Sequence, residues 1–255
     1  MIRSLIYIIT PFCLIFFISQ TSFSAKKSGR AIFEDVRNQM KGFKYFVADS
    51  KLENFKGKKS EKTQEFKIKV LEGKDVDKVL ITFEKPRDVK GTKILSYTDD
   101  GGEEFQYLFL PSLRRTKRIT GTSKAGAFMG SEFSYDDVSR DSINDYTYKL
   151  LKSTGKHYQV EMIPKKKGNS YSKKIATVLK SKPVISKLKL YNKGKKHIKT
   201  ISFSEFKKYK GKYWLPSLIK AVNKRSSRTS TMRRSKISFD GRYSERDFKK
   251  EALSR

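Results

Sequence analysis

Residues Pro86–Val138 read PRDVKGTKILSYTDDGGEEFQYLFLPSLRRTKRITGTSKAGAFMGSEFSYDDV. Two strand-like runs flank the tight acidic turn Asp99-Asp100-Gly101-Gly102, and Pro111 stops the second run. A basic patch, Arg114–Arg118, follows. A Gly/Ala-rich loop after Gly121 then carries Phe128 and Met129. None of these pieces is a catalytic motif. Together they predict a sheet hairpin with an apolar face and then a mobile loop, the anatomy of a binding surface.

Working outward, the same alternation recurs. Phe66, Ile68 and Val70 point one way while Lys67 and Lys69 point the other. Val79, Ile81 and Phe83 repeat it, as do Phe105, Tyr107 and Phe109, with Leu108 and Leu110 on the opposite face. Later come Tyr146/Tyr148/Leu150, Tyr158/Val160/Met162, Leu188/Leu190, Ile201/Phe203 and Tyr213/Leu215/Ile219. A period of two means half-buried strands. Turn signals such as Glu72-Gly73, Ser153-Thr154-Gly155 and Asn192-Lys193-Gly194 separate them. The reading is an antiparallel meander of about ten strands. Helices are scarce: Ala31–Met40 behind a Ser28 N-cap, and short ones at Ser134–Arg140 and Ser244–Leu253. A large sheet with so few helices leaves an apolar face to be covered by closure, by those helices or by a ligand. That shortage predicts an apolar pocket bordered by the strands of Phe66–Phe109; the alternative is a barrel filled by its own side chains.

The N-terminus sets the compartment. Arg3, an apolar run from Leu5 to Ile18 and small polar residues have the layout of a secretory signal peptide. Cleavage is expected after Ser24, with Ala25 as the second choice, leaving residues 25–255 as a single domain in the periplasm; an uncleaved anchor is the alternative. The single cysteine, Cys13, lies in that run, so the mature chain has no disulfide, thiol nucleophile or cysteine metal site. Charge is high and lopsided. Residues 1–150 carry 27 basic and 20 acidic residues, whereas residues 151–255 carry 31 and 6. Such a field attracts polyanions. Beyond a signal peptide these are anionic membrane surfaces and cell-wall polymers, not nucleic acid. Solvent-facing lysines on every strand are the plainer reading of the same charge.

No catalytic or metal constellation appears. His157 and His197 stand alone, and HExxH, Gly-x-Ser-x-Gly and the P-loop are missing. Ser-x-x-Lys occurs four times in a Ser- and Lys-rich chain, without partner motifs. No cofactor is expected.

Val89-Lys90-Gly91-Thr92, Tyr107–Leu113, Arg114–Ile119 and Phe128–Asp137, in that order and spacing, resemble the outer-membrane lipoprotein-sorting (LolA-like) family of bacterial periplasmic proteins. Phe83–Asp88 also fits, and the likeness is good over about Lys44–Val138. Phe105 stands where many relatives have Trp. The resemblance implies a mainly β fold: a curved antiparallel sheet forming an incomplete β-barrel, with a few covering helices at its mouth. It implies a concave side that receives lipid or lipoprotein acyl chains, no enzymatic activity, and a membrane partner of the resistance-nodulation-division transporter type. On that reading the groove is lined by Phe66, Ile68, Val79, Ile81, Phe83, Ile94, Phe105, Tyr107 and Phe109, with Phe128 and Met129 as a lid. Plain core packing of these side chains is the competing reading, and a basic non-catalytic adaptor for a transporter or anionic polymer is the competing function.

Overall fold

The computed structural model describes residues 27–73, 77–98, 103–139, 142–166, 168–226 and 228–255. The expected signal peptide and the Asp99–Gly102 turn lie outside them. One antiparallel sheet organises the chain. An N-terminal meander runs through β1 (Tyr45–Lys56), β2 (Lys59–Leu71), β3 (Lys78–Lys85), β4 (Lys93–Thr98), β5 (Glu104–Leu110) and β6 (Arg115–Arg118). A C-terminal meander runs through β7 (Tyr146–Ser153), β8 (His157–Pro164), β9 (Lys173–Leu179), β10 (Ile185–Tyr191), β11 (His197–Tyr209), β12 (Tyr213–Asn223) and β13 (Arg228–Ser238). The last strand, β13, pairs with the first, β1, and joins the meanders into a thirteen-stranded sheet with β6 and β7 at its edges. The sheet does not close, so the expected incomplete barrel is what forms.

Thirteen described strands exceed the expected ten, and the strands missed are instructive. β1 and β13 sit at the centre of the sheet yet turn Ser50, Asn54 and Ser230 inward. Polar residues at inward positions break the apolar alternation on which a strand is recognised. Asn54 and Ser230 are explained by what they hold. Ser230 donates to Asn54 Oδ1 (2.7 Å), Asn54 Nδ2 donates to the Gly130 carbonyl (3.4 Å), and the Glu132 N–H donates to Ser230 Oγ (2.9 Å). Buried polar groups are thus satisfied by the segment that crosses over them.

That segment, residues 119–139 between β6 and β7, lies across the concave face. It contains the short helix α2 (Tyr135–Val138), whose N-cap Ser134 and N3 residue Asp137 bond reciprocally. Phe128, fully buried, seats against Phe66 and Phe83 at ring distances of 6.2 and 5.9 Å. Met129 takes a left-handed backbone with φ of 50° to deliver it. The other helix, α1 (Gly29–Asn38), crosses the concave face of the C-terminal meander. Ser28 Oγ accepts from the Ala31 N–H (3.1 Å) and starts it, as expected. Gly29 lets it approach closely: a Cβ there stands 3.0 Å from the Leu150 nitrogen. Ile32 and Phe33 bury against Tyr146, Val160 and Met162.

The convex face is covered only over the N-terminal meander. Tyr243, just before the C-terminal 3-10 turns, and Phe248 and Leu253 within them pack on Leu71, Leu80, Leu95, Tyr107 and Phe109. Tyr243 Oη accepts from the Phe46 N–H (3.1 Å) and lies 2.9 and 2.8 Å from the Phe46 and Val70 carbonyls.

Candidate functional site

The structure divides the expected groove residues between two faces. Ile68, Ile81 and Ile94 align across β2, β3 and β4, and Val79, Phe66 and Phe83 lie on the same concave face. Phe105, Tyr107 and Phe109 are on the convex face. Tyr107 pairs with Leu95, which in turn pairs with Leu80, and it is Leu108 that aligns with Ile94. The physical reason is the period of two: one strand read one residue out of register swaps every side chain across the sheet. The correction is therefore that β5 presents Leu108 and Leu110 to the concave side. Phe105 instead stacks on Tyr97 (5.2 Å) under the Arg118 guanidinium (4.2 Å).

The concave stretch from Phe66 to Ile94 is filled. Phe128 takes its centre, and Phe66, Phe83 and Ile94 are each about 1% exposed. Phe128 is part of the core that fills this stretch, and Met129 packs against it.

An open cleft lies half a sheet away, over the C-terminal meander. It has a volume of about 390 Å³. One wall is the α1 face of Phe33, Val36 and Met40; the floor is Tyr146, Met162, Leu188, Phe203, Leu215 and Ile219. None of the eleven expected residues lines it. Its floor residues belong to the period-two runs of the C-terminal half; what periodicity lacks is the knowledge of which stretch the plug occupies. Polar and charged side chains also line it, among them Arg37, Lys41, Glu72 and Asp77. Lys174 is buried on β9, its ammonium 5.0 Å from the Tyr146 ring and 5.8 Å from Tyr171, and Arg234 of β13 also lines the cleft.

The cleft meets the sheet at a seam. β12 and β13 pair only from Leu218–Val222 to Thr229–Arg233, and beyond that they part. Gln39, at the C-terminus of α1, caps the freed edge of β12: its Oε1 accepts from the Trp214 N–H (3.0 Å) and its Nε2 donates to the Trp214 carbonyl (3.3 Å). The backbone nitrogen of Pro216 faces the same edge as that of Trp214, two residues away, and has no hydrogen to offer. Proline there keeps the seam from zipping shut. Gln39 carried no signal in the sequence, because a side-chain amide acting as a strand partner has no periodicity.

A buried ionic group anchors the plug beside the cleft. Lys199 Nζ donates to Asp137 Oδ2 (2.6 Å) and to Tyr171 Oη (3.0 Å), and Tyr171 Oη donates to Asp137 Oδ1 (2.8 Å). The Asp137 and Lys199 side chains are 2% and 11% exposed. Burial, reinforced by the Asp137 carboxylate, pushes the Tyr171 phenol far above its ordinary range. The group is a clamp between α2 and strands β9–β11, without a nucleophile–base pair facing a cavity. Among the described residues no three His, Cys, Asp or Glu side chains cluster as metal ligands.

Comparison with known proteins agrees with this architecture. A family model described as "Uncharacterized protein" matches residues 75–255. No curated protein matches the chain. Among solved structures, a domain from Vibrio parahaemolyticus named as an outer membrane lipoprotein-sorting protein is 31% identical, with 89% of this chain and 98% of that one covered and a TM-score of 0.84. A DUF1329 family protein from Desulfovibrio piger is 26% identical, with 88% and 97% covered and a TM-score of 0.80. A LolA superfamily protein from Nitrosomonas europaea shares the fold at 17% identity, with 89% and 100% covered and a TM-score of 0.70. With a half-closed antiparallel barrel of the LolA-like fold and a relative above 30% identity over nearly its whole length, the chain belongs to the outer-membrane lipoprotein-sorting family.

Proposed function

We propose that the protein is a periplasmic, non-catalytic carrier that holds the acyl chains of lipids or lipoproteins in the cleft between α1 and the C-terminal meander. The observation that carries this reading is the cleft itself, about 390 Å³ and walled mainly by apolar side chains. Ligand sites typically enclose ~300–1,000 Å³. Burying a 16-carbon chain gains roughly 12 kcal/mol at ~0.8 kcal/mol per methylene. Apolar burial therefore dominates retention. Export by a cleaved signal peptide over residues 1–24 and exchange with a transporter of the resistance-nodulation-division type belong to the same reading. The second reading, a basic adaptor for a transporter or anionic polymer, is favoured by the 31 basic residues against 6 acidic ones over residues 151–255.

Native mass spectrometry with lipid extraction of the purified mature protein tests the choice. Leu188→Lys and Phe203→Lys, at part-buried cleft positions, are expected to lose bound lipid while remaining folded. Phe105→Lys, on the convex face, is expected to keep it. Lipid absent from the wild type, or lost from Phe105→Lys alone, overturns the reading.

A further inference from the structure

The antiparallel order of the C-terminal meander brings three hairpin tips to one end of the half-barrel. These are Gly155–Lys156 between β7 and β8, Lys180–Pro183 between β9 and β10, and Lys210–Lys212 between β11 and β12. The tips contain Lys156, Lys180, Lys182, Lys210 and Lys212 and not one carboxylate. Phe206 and Trp214 lie at the same end, three residues or fewer from their strand ends, and both line the cleft while half-exposed. The Lys182 ammonium lies 4.4 Å from the Trp214 ring and 5.2 Å from Phe206; Lys208 lies 6.0 Å from Trp214. Among the described residues neither lysine has a carboxylate partner. Lys210 does, at 3.1 Å from Asp240.

We propose that this end is the surface with which the protein docks on an anionic phospholipid bilayer, Trp214 and Phe206 resting at headgroup level beside the cleft. Charge alone does not choose the end, because the opposite tips carry Lys193, Lys195, Lys196, Lys224 and Arg225. The aromatic pair does. Trp is favoured at the membrane–water interface, where one side of the ring is apolar and the other wet. Lysines beside it add attraction to anionic headgroups. A soluble polyanion offers those lysines partners but gives the rings no apolar phase. The position also shortens the ligand's path, since a chain leaving the bilayer enters the cleft past the same two rings. The inference rests on the carrier reading only for that last step.

Trp214 is the sole tryptophan of the chain, so its emission reports this surface alone. The experiment mixes the full mature protein with vesicles of phosphatidylglycerol and phosphatidylcholine at low salt. Expected are a blue shift of Trp214 emission and its quenching by lipids brominated high on the acyl chain. In vesicle sedimentation, Lys182→Ala and Lys208→Ala each weaken partitioning about fivefold, and Phe206→Ala weakens it without changing the salt dependence. Circular dichroism confirms that the variants fold. Sedimentation with unchanged Trp214 emission means docking through another surface and overturns the proposal. So does binding to a soluble polyanion such as polyphosphate with none to vesicles. Extraction of bound lipid is read separately. Retained lipid without vesicle binding overturns docking and leaves the carrier standing; vesicle binding with the emission shift but no lipid ever recovered does the reverse.

Discussion

The two meanders share one sheet but differ in how their faces are closed. The N-terminal meander is covered on both sides, by Phe128 and α2 inside and by Tyr243, Phe248 and Leu253 outside. Over the C-terminal meander the cover is shared between α1 and the edge of the plug at Asp137 and Glu132, and a cleft remains beside α1. The difference teaches that a curved sheet acquires a cavity where cover is short, not where its strands are most apolar. Phe66, Phe83 and Ile94 belong to the more apolar half and are the better buried for it. The charge is divided in the same direction: residues 1–150 carry 27 basic residues against 20 acidic ones, residues 151–255 carry 31 against 6.

The sharpest way to break this comparison is at the clamp between the halves. Asp137→Ala leaves Lys199 buried without its carboxylate, and a loss of about 3–5 kcal/mol is expected in urea unfolding. A cost under 1 kcal/mol contradicts the clamp. Next comes a pair of truncations. Phe83→Ala, in the filled half, is expected to cost about 3–5 kcal/mol, while Phe206→Ala, at the cleft, costs well under half of that. Equal costs erase the distinction between core and cleft. The convex cover is probed by Tyr243→Phe. It removes the hydroxyl that holds the Phe46 N–H and the two carbonyls, for a loss of about 1–3 kcal/mol with lipid content unchanged.

The smallest effect is a pH slope. The Tyr171 phenol is raised in the folded state, so above its unfolded pKa of ~10 the unfolded chain releases a proton that the folded protein keeps. Stability therefore falls as pH rises above ~10, by about 1.4 kcal/mol per pH unit from this group. Below that pH the contribution is constant. In Tyr171→Phe that part of the slope is expected to vanish, as measured by urea unfolding between pH 9 and 11. An unchanged slope means the phenol ionises freely and is not locked between Asp137 and Lys199.

Much of this was legible in the sequence. Period-two alternation from Phe66 to Ile219, the Ser28 cap and the blocks from Val89 to Asp137 determined an open antiparallel sheet of the lipoprotein-sorting type; that the loop after Gly121 fills the concave face was not legible there. Local sterics and side-chain periodicity act within a few residues, so they can be read from a few residues. The face of β5 could not be read so safely, because Phe105-Gln106-Tyr107-Leu108-Phe109-Leu110 is apolar on both sides and either register satisfies the pattern. Only tertiary structure decided it: the inward Gln106 donates to Ser96, Ser139 and the Tyr135 carbonyl, and the C-terminal turns bury the rings outside. Tertiary structure likewise decided where the cleft lies. That depends on where α1 and the plug come to rest, on the parting of β12 from β13 and on Gln39 reaching 175 residues along the chain to Trp214. Contacts so distant in sequence leave no local period, and the volume they fail to fill is a property of the assembled sheet alone.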